Sequence, residues 1–167
     1  MIRINFGFSS CPNDTFILHA LLNHHIDAGQ FEFIPHVHDV ELLNLKAASK
    51  EYDVTKLSFF AYLKLKDSYT LLDAGAALGY GCGPLLVARS ADLPLGEARI
   101  AIPGAHTTAH LLLKLWNPDL RKVEIVRFDR ILPGIASGEF DAGIIIHEGR
   151  FIYPAYGCIK IVELGKW

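Results

Sequence analysis

Glu139-Phe140-Asp141-Ala142-Gly143-Ile144-Ile145-Ile146-His147 reads as a chain entering a buried strand and leaving it abruptly on a titratable side chain. After Asp141 no polar side chain intervenes before His147, the pattern of a strand covered on both faces. Its opening tetrapeptide has a counterpart, Glu51-Tyr52-Asp53-Val54, at the start of a short strand over Tyr52–Leu57. A glutamate, an aromatic ring, an aspartate and a small apolar residue therefore recur at the same place in two α/β segments.

Around the earlier copy, strand Ile2–Phe8 leads to a helix near Asp14–Asn23, whose Phe16, Ile17, Ala20 and Leu21 form an apolar face. Strand Phe31–Val37 follows, then a helix with Asp39 as N-cap and Val40, Leu43 and Ala47 on one side. A further helix is expected over Phe59–Leu65, with Ser58 read either as its cap or as a hydrogen-bond donor to substrate. Around the later copy, strand Arg99–Ile102 precedes a helix with Ala109, Leu112, Leu113 and Trp116 at helical spacing, stopped by Asn117-Pro118. Strand Val123–Val126 leads to Asp129, read as a second cap, and to a helix carrying Ile131, Leu132, Ile135 and Ala136 that ends at Gly138. Two more landmarks, Glu32 with Glu124 and Asp39 with Asp129, recur at similar offsets. The expectation is an α/β protein of two lobes, each a βαβαβ unit, with lobe one over 1–87 and lobe two over 88–167. Leu85–Ala88, after the glycine-rich turn Gly79–Gly83, is expected to connect them.

Composition narrows the class. Apolar residues make up 51% of 167 and charged residues 20%, which excludes a disordered chain. Sixteen basic residues stand against eighteen acidic ones without a basic stripe, so no nucleic-acid partner is expected. The longest apolar candidate, Ala76 to Ala88, is broken by three glycines and Pro84, so no membrane span is expected. The N-terminus alternates like a strand rather than reading as a secretory signal, and the expected compartment is the cytoplasm. Cys11, Cys82 and Cys158 are odd in number and far apart, which indicates neither disulfides nor a zinc site.

In two α/β lobes, ligands bind outside the carboxyl ends of the strands, near helix N-termini. Three loops qualify: Ser9–Thr15, His106–Thr108 and the segment after Ile146. Ser10 and Asn13 in the first, and Thr107 and Thr108 in the second, offer hydroxyls and an amide beside helix-start N–H groups; capping alone is the plainer account of either loop. Lys56-Leu57-Ser58 ends a strand, and Ser58 lacks the glycines of a nucleophile elbow. His147 is the most informative residue, because an imidazole takes a proton at neutral pH without extreme tuning. It is expected to look across a gap at the donors crowning the opposite lobe's helix. His36 and His38 share a strand face, but no third metal ligand accompanies them.

Ser-Ser-Cys-Pro-Asn-Asp-Thr-Phe at 9–16, Lys-Leu-Ser at 56–58, His-Thr-Thr-Ala at 106–109 and Ile-His-Glu-Gly-Arg-Phe at 146–151 resemble the 1,4-dihydroxy-6-naphthoate synthases of the futalosine route to menaquinone. Ser10 stands where that family has proline. The resemblance implies a fold like the type II periplasmic binding proteins, used as an enzyme. It implies a carbon–carbon lyase that opens cyclic dehypoxanthinyl futalosine, without metal or organic cofactor. His147 matches the proton acceptor. Lys56, Leu57 and Ser58 match one substrate-contacting stretch, and Thr108 and Ala109 the other. Family chains are longer, so lobe one is expected to lack elements that return to it, exposing apolar surface and favouring a homo-oligomer. Rival readings are a non-catalytic cytoplasmic binder of small carboxylates and the related chorismate dehydratase.

Overall fold

A computed structural model describes residues 1–167. The chain divides into two compact units, Met1–Leu78 and Gly79–Trp167. The first contains β1 (Ile2–Phe8), α1 (Pro12–Leu22), β2 (Phe31–Val37), α2 (Val40–Ala48), β3 (Val54–Thr55) and α3 (Phe59–Leu65). Its sheet has the order β2-β1-β3, and β1 runs parallel to both neighbours. Phe6, Phe8 and Leu18 form its buried centre, with Leu21, Leu22, Phe33 and Val54 packed around them.

The second unit contains β4 (Leu85–Ala88), β5 (Ile100–Ile102), α4 (Thr108–Trp116), β6 (Val123–Ile125), α5 (Phe128–Ser137), β7 (Ala142–Ile145), α6 (Gly149–Ile152), a 3-10 turn (Tyr153–Tyr156) and β8 (Ile159–Glu163). Its sheet has the order β6-β5-β7-β4-β8. The segment expected to connect the lobes is β4, fully buried and hydrogen-bonded antiparallel to β7 and β8. The division therefore falls between Leu78 and Gly79, upstream of the expected boundary at 87/88. Alternating residues of this sheet feed two cores. Leu86, Ile100, Ile102 and Ile144 pack with Leu113 of α4, whereas Val87, Ala101 and Ile145 pack with Ile131 and Ile135 of α5. A sheet covered on both faces explains the uninterrupted apolar run of β7.

The parallel order β2-β1-β3 is repeated by β6-β5-β7, and the recurring tetrapeptide has a mechanical reason. Asp53 donates its N–H to the Asn5 carbonyl (3.1 Å), and its carboxylate accepts from the Asn5 N–H (2.8 Å) and side-chain amide (3.2 Å). Asp141 does the same with Arg99: its N–H reaches the Arg99 carbonyl (3.0 Å), and its Oδ2 accepts from the Arg99 N–H (2.8 Å) and Nε (3.2 Å). The preceding aromatics, Tyr52 and Phe140, are both buried. Each aspartate thus fixes the register of one parallel pair.

The other two landmarks do not superpose. Phe6 pairs with Val54 and Pro35, and Ile100 with Ala142 and Val123. Pro35 therefore corresponds to Val123, and Glu124 to His36 rather than to Glu32. The N–H of His38 reaches the Phe8 carbonyl and that of Val126 reaches Ile102, so Asp39 corresponds to Arg127. Asp39 does cap α2, accepting from the N–H groups of Glu41 (3.0 Å) and Leu42 (3.2 Å). Arg127 holds the N-cap of α5 with no side-chain cap, and Asp129 lies in the first turn, paired with Arg127 at 2.6 Å.

The Arg99 guanidinium and backbone N–H hold the Asp141 carboxyl below the usual carboxylate range. An acid with a depressed folded pKa stabilises the fold above its unfolded pKa of about 4, and that contribution disappears as pH falls through the folded value. Asp141→Asn is therefore expected to flatten the loss of stability below about pH 4 in urea titrations. An unchanged acid limb would remove Asp141 from this role.

The first unit exposes large apolar side chains, among them Phe16, Leu63, Leu71 and Leu72. β3 is an edge strand of its sheet. No helix is long and apolar enough to cross a membrane.

Candidate functional site

Within each unit the parallel strands deliver their following loops to one sheet edge. In the first unit β1 opens into Ser9–Cys11 before α1, and β3 into Lys56–Ser58 before α3. In the second, β5 opens into Pro103–Thr107 before α4, and β7 into Ile146–Glu148 before α6. Every sequence-predicted candidate lies on one of these four loops or in the first turn that follows.

The first unit is organised by a residue that sequence reasoning passed over. Asp14, only 3% exposed, accepts from the N–H (3.0 Å) and hydroxyl (2.8 Å) of Ser9 and pairs with the Lys56 ammonium at 2.9 Å. Lys56 also donates to the Gly75 carbonyl at 2.9 Å. A buried carboxylate thereby sets where this lysine stands. Ser10 and Asn13 are exposed at the start of α1, where the Cys11 thiol accepts the Asp14 N–H.

Ser58 occupies the N-cap of α3 without capping it. Its hydroxyl oxygen instead accepts from the Asn44 amide (3.2 Å), whose carbonyl accepts the Ser58 N–H (3.0 Å). The same amide donates to Glu41 at 3.2 Å, and both Asn44 and Glu41 are buried. With its acceptor side engaged, the Ser58 O–H is left to donate. Asn44 was also missed; its only sequence signal is an amide on the core side of a helix. A cavity of about 500 Å³ in this unit runs along β3 and includes Asp14, Thr55, Lys56, Leu57, Tyr62 and Tyr69 in its wall. Neither Ser58 nor any residue of the second unit lines it.

In the second unit Thr107 is the N-cap of α4, 3% exposed. Its hydroxyl donates to the Gly104 carbonyl (2.9 Å) and accepts the His110 N–H (3.3 Å). Both of these bonds lie within the loop and the first turn of α4. His110 Nδ1 stands 3.1 Å from the Ala105 carbonyl; a carbonyl only accepts, so Nδ1 carries the proton. Thr108 and Ala109 begin α4, where backbone N–H groups point out of the helix end. Buried Ala109 has no other polar group to offer a ligand.

His147 follows β7 on a backbone with φ 51°, the left-handed region, where a non-glycine residue carries strain. It is half-buried. Its carbonyl accepts the Arg150 N–H (3.2 Å), and the Gly149 N–H reaches Ile146 (3.1 Å), closing a tight turn. A Cβ on buried Gly149 would stand 3.2 Å from the Ile145 Cβ, so the turn lies directly on β7. His147 and the threonine loop belong to the same unit, at the ends of the paired parallel strands β7 and β5. The expectation that they face each other from opposite lobes is corrected: the fold brings them to one sheet edge. His36 and His38 flank the Tyr52 ring, with centroids 5.0 and 6.2 Å away.

Chemically, the second unit offers an imidazole and helix-end donors on one edge, while the first offers an ammonium and a hydroxyl donor. A family model described as menaquinone biosynthesis matches residues 4–167. The chain is 48% identical, over its whole length, to a 1,4-dihydroxy-6-naphthoate synthase of Thermus thermophilus, and covers 61% of it. A protein of the same name from Streptomyces coelicolor is 35% identical over 98% of the chain and 59% of its own length. A crystal structure of an Archaeoglobus fulgidus protein superposes with a TM-score of 0.92 at 39% identity, covering 99% of this chain and 61% of that one. The alkanesulfonate-binding protein of Xanthomonas axonopodis shares the fold, with a TM-score of 0.71 at 12% identity over 98% of this chain and 61% of its own. The chain spans about three-fifths of the length of these relatives.

Proposed function

Because the chain belongs to the menaquinone-biosynthesis family and has a periplasmic-binding-protein-like α/β fold, we propose that it performs the naphthoate-forming step for which its relatives are named, as a ring opening. In that step cyclic dehypoxanthinyl futalosine gives 1,4-dihydroxy-6-naphthoate and a sugar-derived fragment, a carbon–carbon lyase reaction. The observation that carries the proposal is His147 on a strained turn at the end of β7, beside the β5 strand that leads into Thr108. Strained backbone clusters at functional sites, and an imidazole is a residue type suited to proton transfer, which supports this reading.

We assign His147 as the general base that removes a proton from the substrate. Negative charge then develops on the ring-opened intermediate and is stabilised by preorganised N–H and O–H donors. The Thr108 side chain and the backbone at Thr108 and Ala109 hold the substrate carboxylate, helped by the helix dipole. Lys56, Leu57 and Ser58 are proposed as further substrate contacts, Ser58 as a hydrogen-bond donor. Ser10 and Asn13, exposed at the start of α1, remain proposed contacts. The proposal uses no metal and no organic cofactor, and it places the reaction in the cytoplasm.

Purified protein supplied with cyclic dehypoxanthinyl futalosine is expected to generate the absorbance of the naphthoate. No product, from this chain and from one as long as the relatives, would refute the proposal. Thr108→Val is expected to weaken substrate binding roughly tenfold, the loss of one hydrogen bond to a charged group. Calorimetry with unchanged affinity would remove Thr108 from the carboxylate site.

A further inference from the structure

His-Glu-Gly-Arg at 147–150 places an arginine three residues beyond the proposed base, and that arginine reaches back across the unit. One guanidinium nitrogen of Arg150 donates to the Gly83 carbonyl, just before β4. The other donates to Glu163 Oε1 at 2.5 Å, in the last residue of β8. The Glu163 side chain is 9% exposed and that of Arg150 is 22% exposed, so the pair is shielded on both sides. The acceptors are themselves fixed. Leu85 pairs with Glu163 in the sheet, and the Leu164 N–H reaches the Pro84 carbonyl at 2.9 Å. Gly83 and Gly165 approach so closely that a Cβ on Gly83 would lie 2.3 Å from the Gly165 nitrogen. Only glycine fits at that crossing, so the carbonyl and carboxylate that receive Arg150 have little freedom to move.

The backbone of the same arginine completes the turn. Its N–H donates to the His147 carbonyl at 3.2 Å, and His147 holds a left-handed φ of 51°. A strained turn persists only where its surroundings over-determine it. Arg150 ties that turn to the β4 and β8 strand ends through two side-chain bonds and one backbone bond. Lys166, 3.7 Å from the other carboxylate oxygen of Glu163, adds a second positive charge. We propose that Arg150, anchored by Glu163 and the Gly83 carbonyl, is the positioning residue that holds the His147 imidazole where it takes the substrate proton. Arg150 touches neither substrate nor reacting atoms in this role. Glu163 is held below the usual carboxylate range first by its hydrogen bond from Arg150, so the anchor remains an ion pair across the neutral range.

The inference rests on His147 as base, and the experiment separates the two. Arg150→Gln is expected to lower kcat by roughly 10- to 100-fold, the usual effect of a misplaced catalytic group, with KM within about threefold. Glu163→Gln, which leaves the Gly83 bond in place, is expected to have a smaller effect of the same kind. Arg150→Lys, able to meet one acceptor but not both, is expected to recover part of the rate. Nitrogen-15 spectra of the His147 ring supply a readout independent of turnover. Its resonances are expected to shift or broaden in Arg150→Gln and partly return in Arg150→Lys. If Arg150→Gln fails to fold, Glu163→Gln and its His147 spectrum carry the test. Wild-type kcat and wild-type His147 resonances in Arg150→Gln or, where that variant is unfolded, in Glu163→Gln would overturn the inference, even with His147→Asn inactive. Turnover retained by His147→Asn would instead overturn the base assignment.

Discussion

His147→Asn is expected to lower kcat by about 10²- to 10⁴-fold, the span of a removed general base, while substrate affinity changes less than about threefold. Asparagine is the informative replacement because it tolerates the left-handed backbone that His147 adopts. Alanine at φ 51° would add backbone strain to the loss of the imidazole and confuse the two effects. A fall in kcat at nearly constant affinity separates proton transfer from substrate holding, because the carboxylate contacts at Thr108 and Ala109 stay in place. Stopped-flow detection of naphthoate gives kcat, and calorimetry gives the affinity. Turnover within about threefold of wild type would remove His147 from the base role.

Asp14→Ala is expected to destabilise the first unit by about 3 kcal/mol, the scale of breaking a buried ion pair from one side. The carboxylate is 3% exposed and receives three bonds, from the Ser9 N–H and hydroxyl and from Lys56. Its removal leaves the lysine charge unmatched against a part-apolar cavity wall and frees the loop that begins α1. Urea denaturation of wild type, Asp14→Ala, Lys56→Met and the double variant isolates the pair. The double variant is expected to recover part of the single loss, because both charges are then gone. A loss below about 0.5 kcal/mol in Asp14→Ala would mean the pair is solvent-screened like a surface bridge.

What could be read from the sequence was local. Strand β1 lies where alternation puts it, β2 and α3 span the expected Phe31–Val37 and Phe59–Leu65, and Asp39 caps α2. The tetrapeptides at 51 and 139 were legible as a repeat because the aspartate that follows the aromatic residue clamps the neighbouring strand in both units. The other landmarks matched by residue type alone, and strand pairing, which no sequence pattern displays, separates them. The segment Leu85–Ala88 read as a connection because its antiparallel partners lie far along the chain, at Ala142–Ile145 and Ile159–Glu163.

The site divides in the same way. Loops at strand ends announced His147, Thr108 and Lys56-Leu57-Ser58. The residues that hold them did not announce themselves: Asp14 on Lys56, Asn44 on Ser58, Glu163 on Arg150. Each of those contacts joins segments brought together only by the sheet. Thr107 is ambiguous for the opposite reason. A hydroxyl beside a helix start serves either the helix or a ligand, and here both its donor and its acceptor serve the loop.

The most direct test is a crystal of the His147→Asn variant soaked with cyclic dehypoxanthinyl futalosine. The account predicts the substrate carboxylate on the Thr108 and Ala109 end of α4, with the carbon that loses its proton within about 3.5 Å of the side chain at position 147. Substrate bound with its carboxylate away from α4 and with no atom in contact with position 147 would contradict the account.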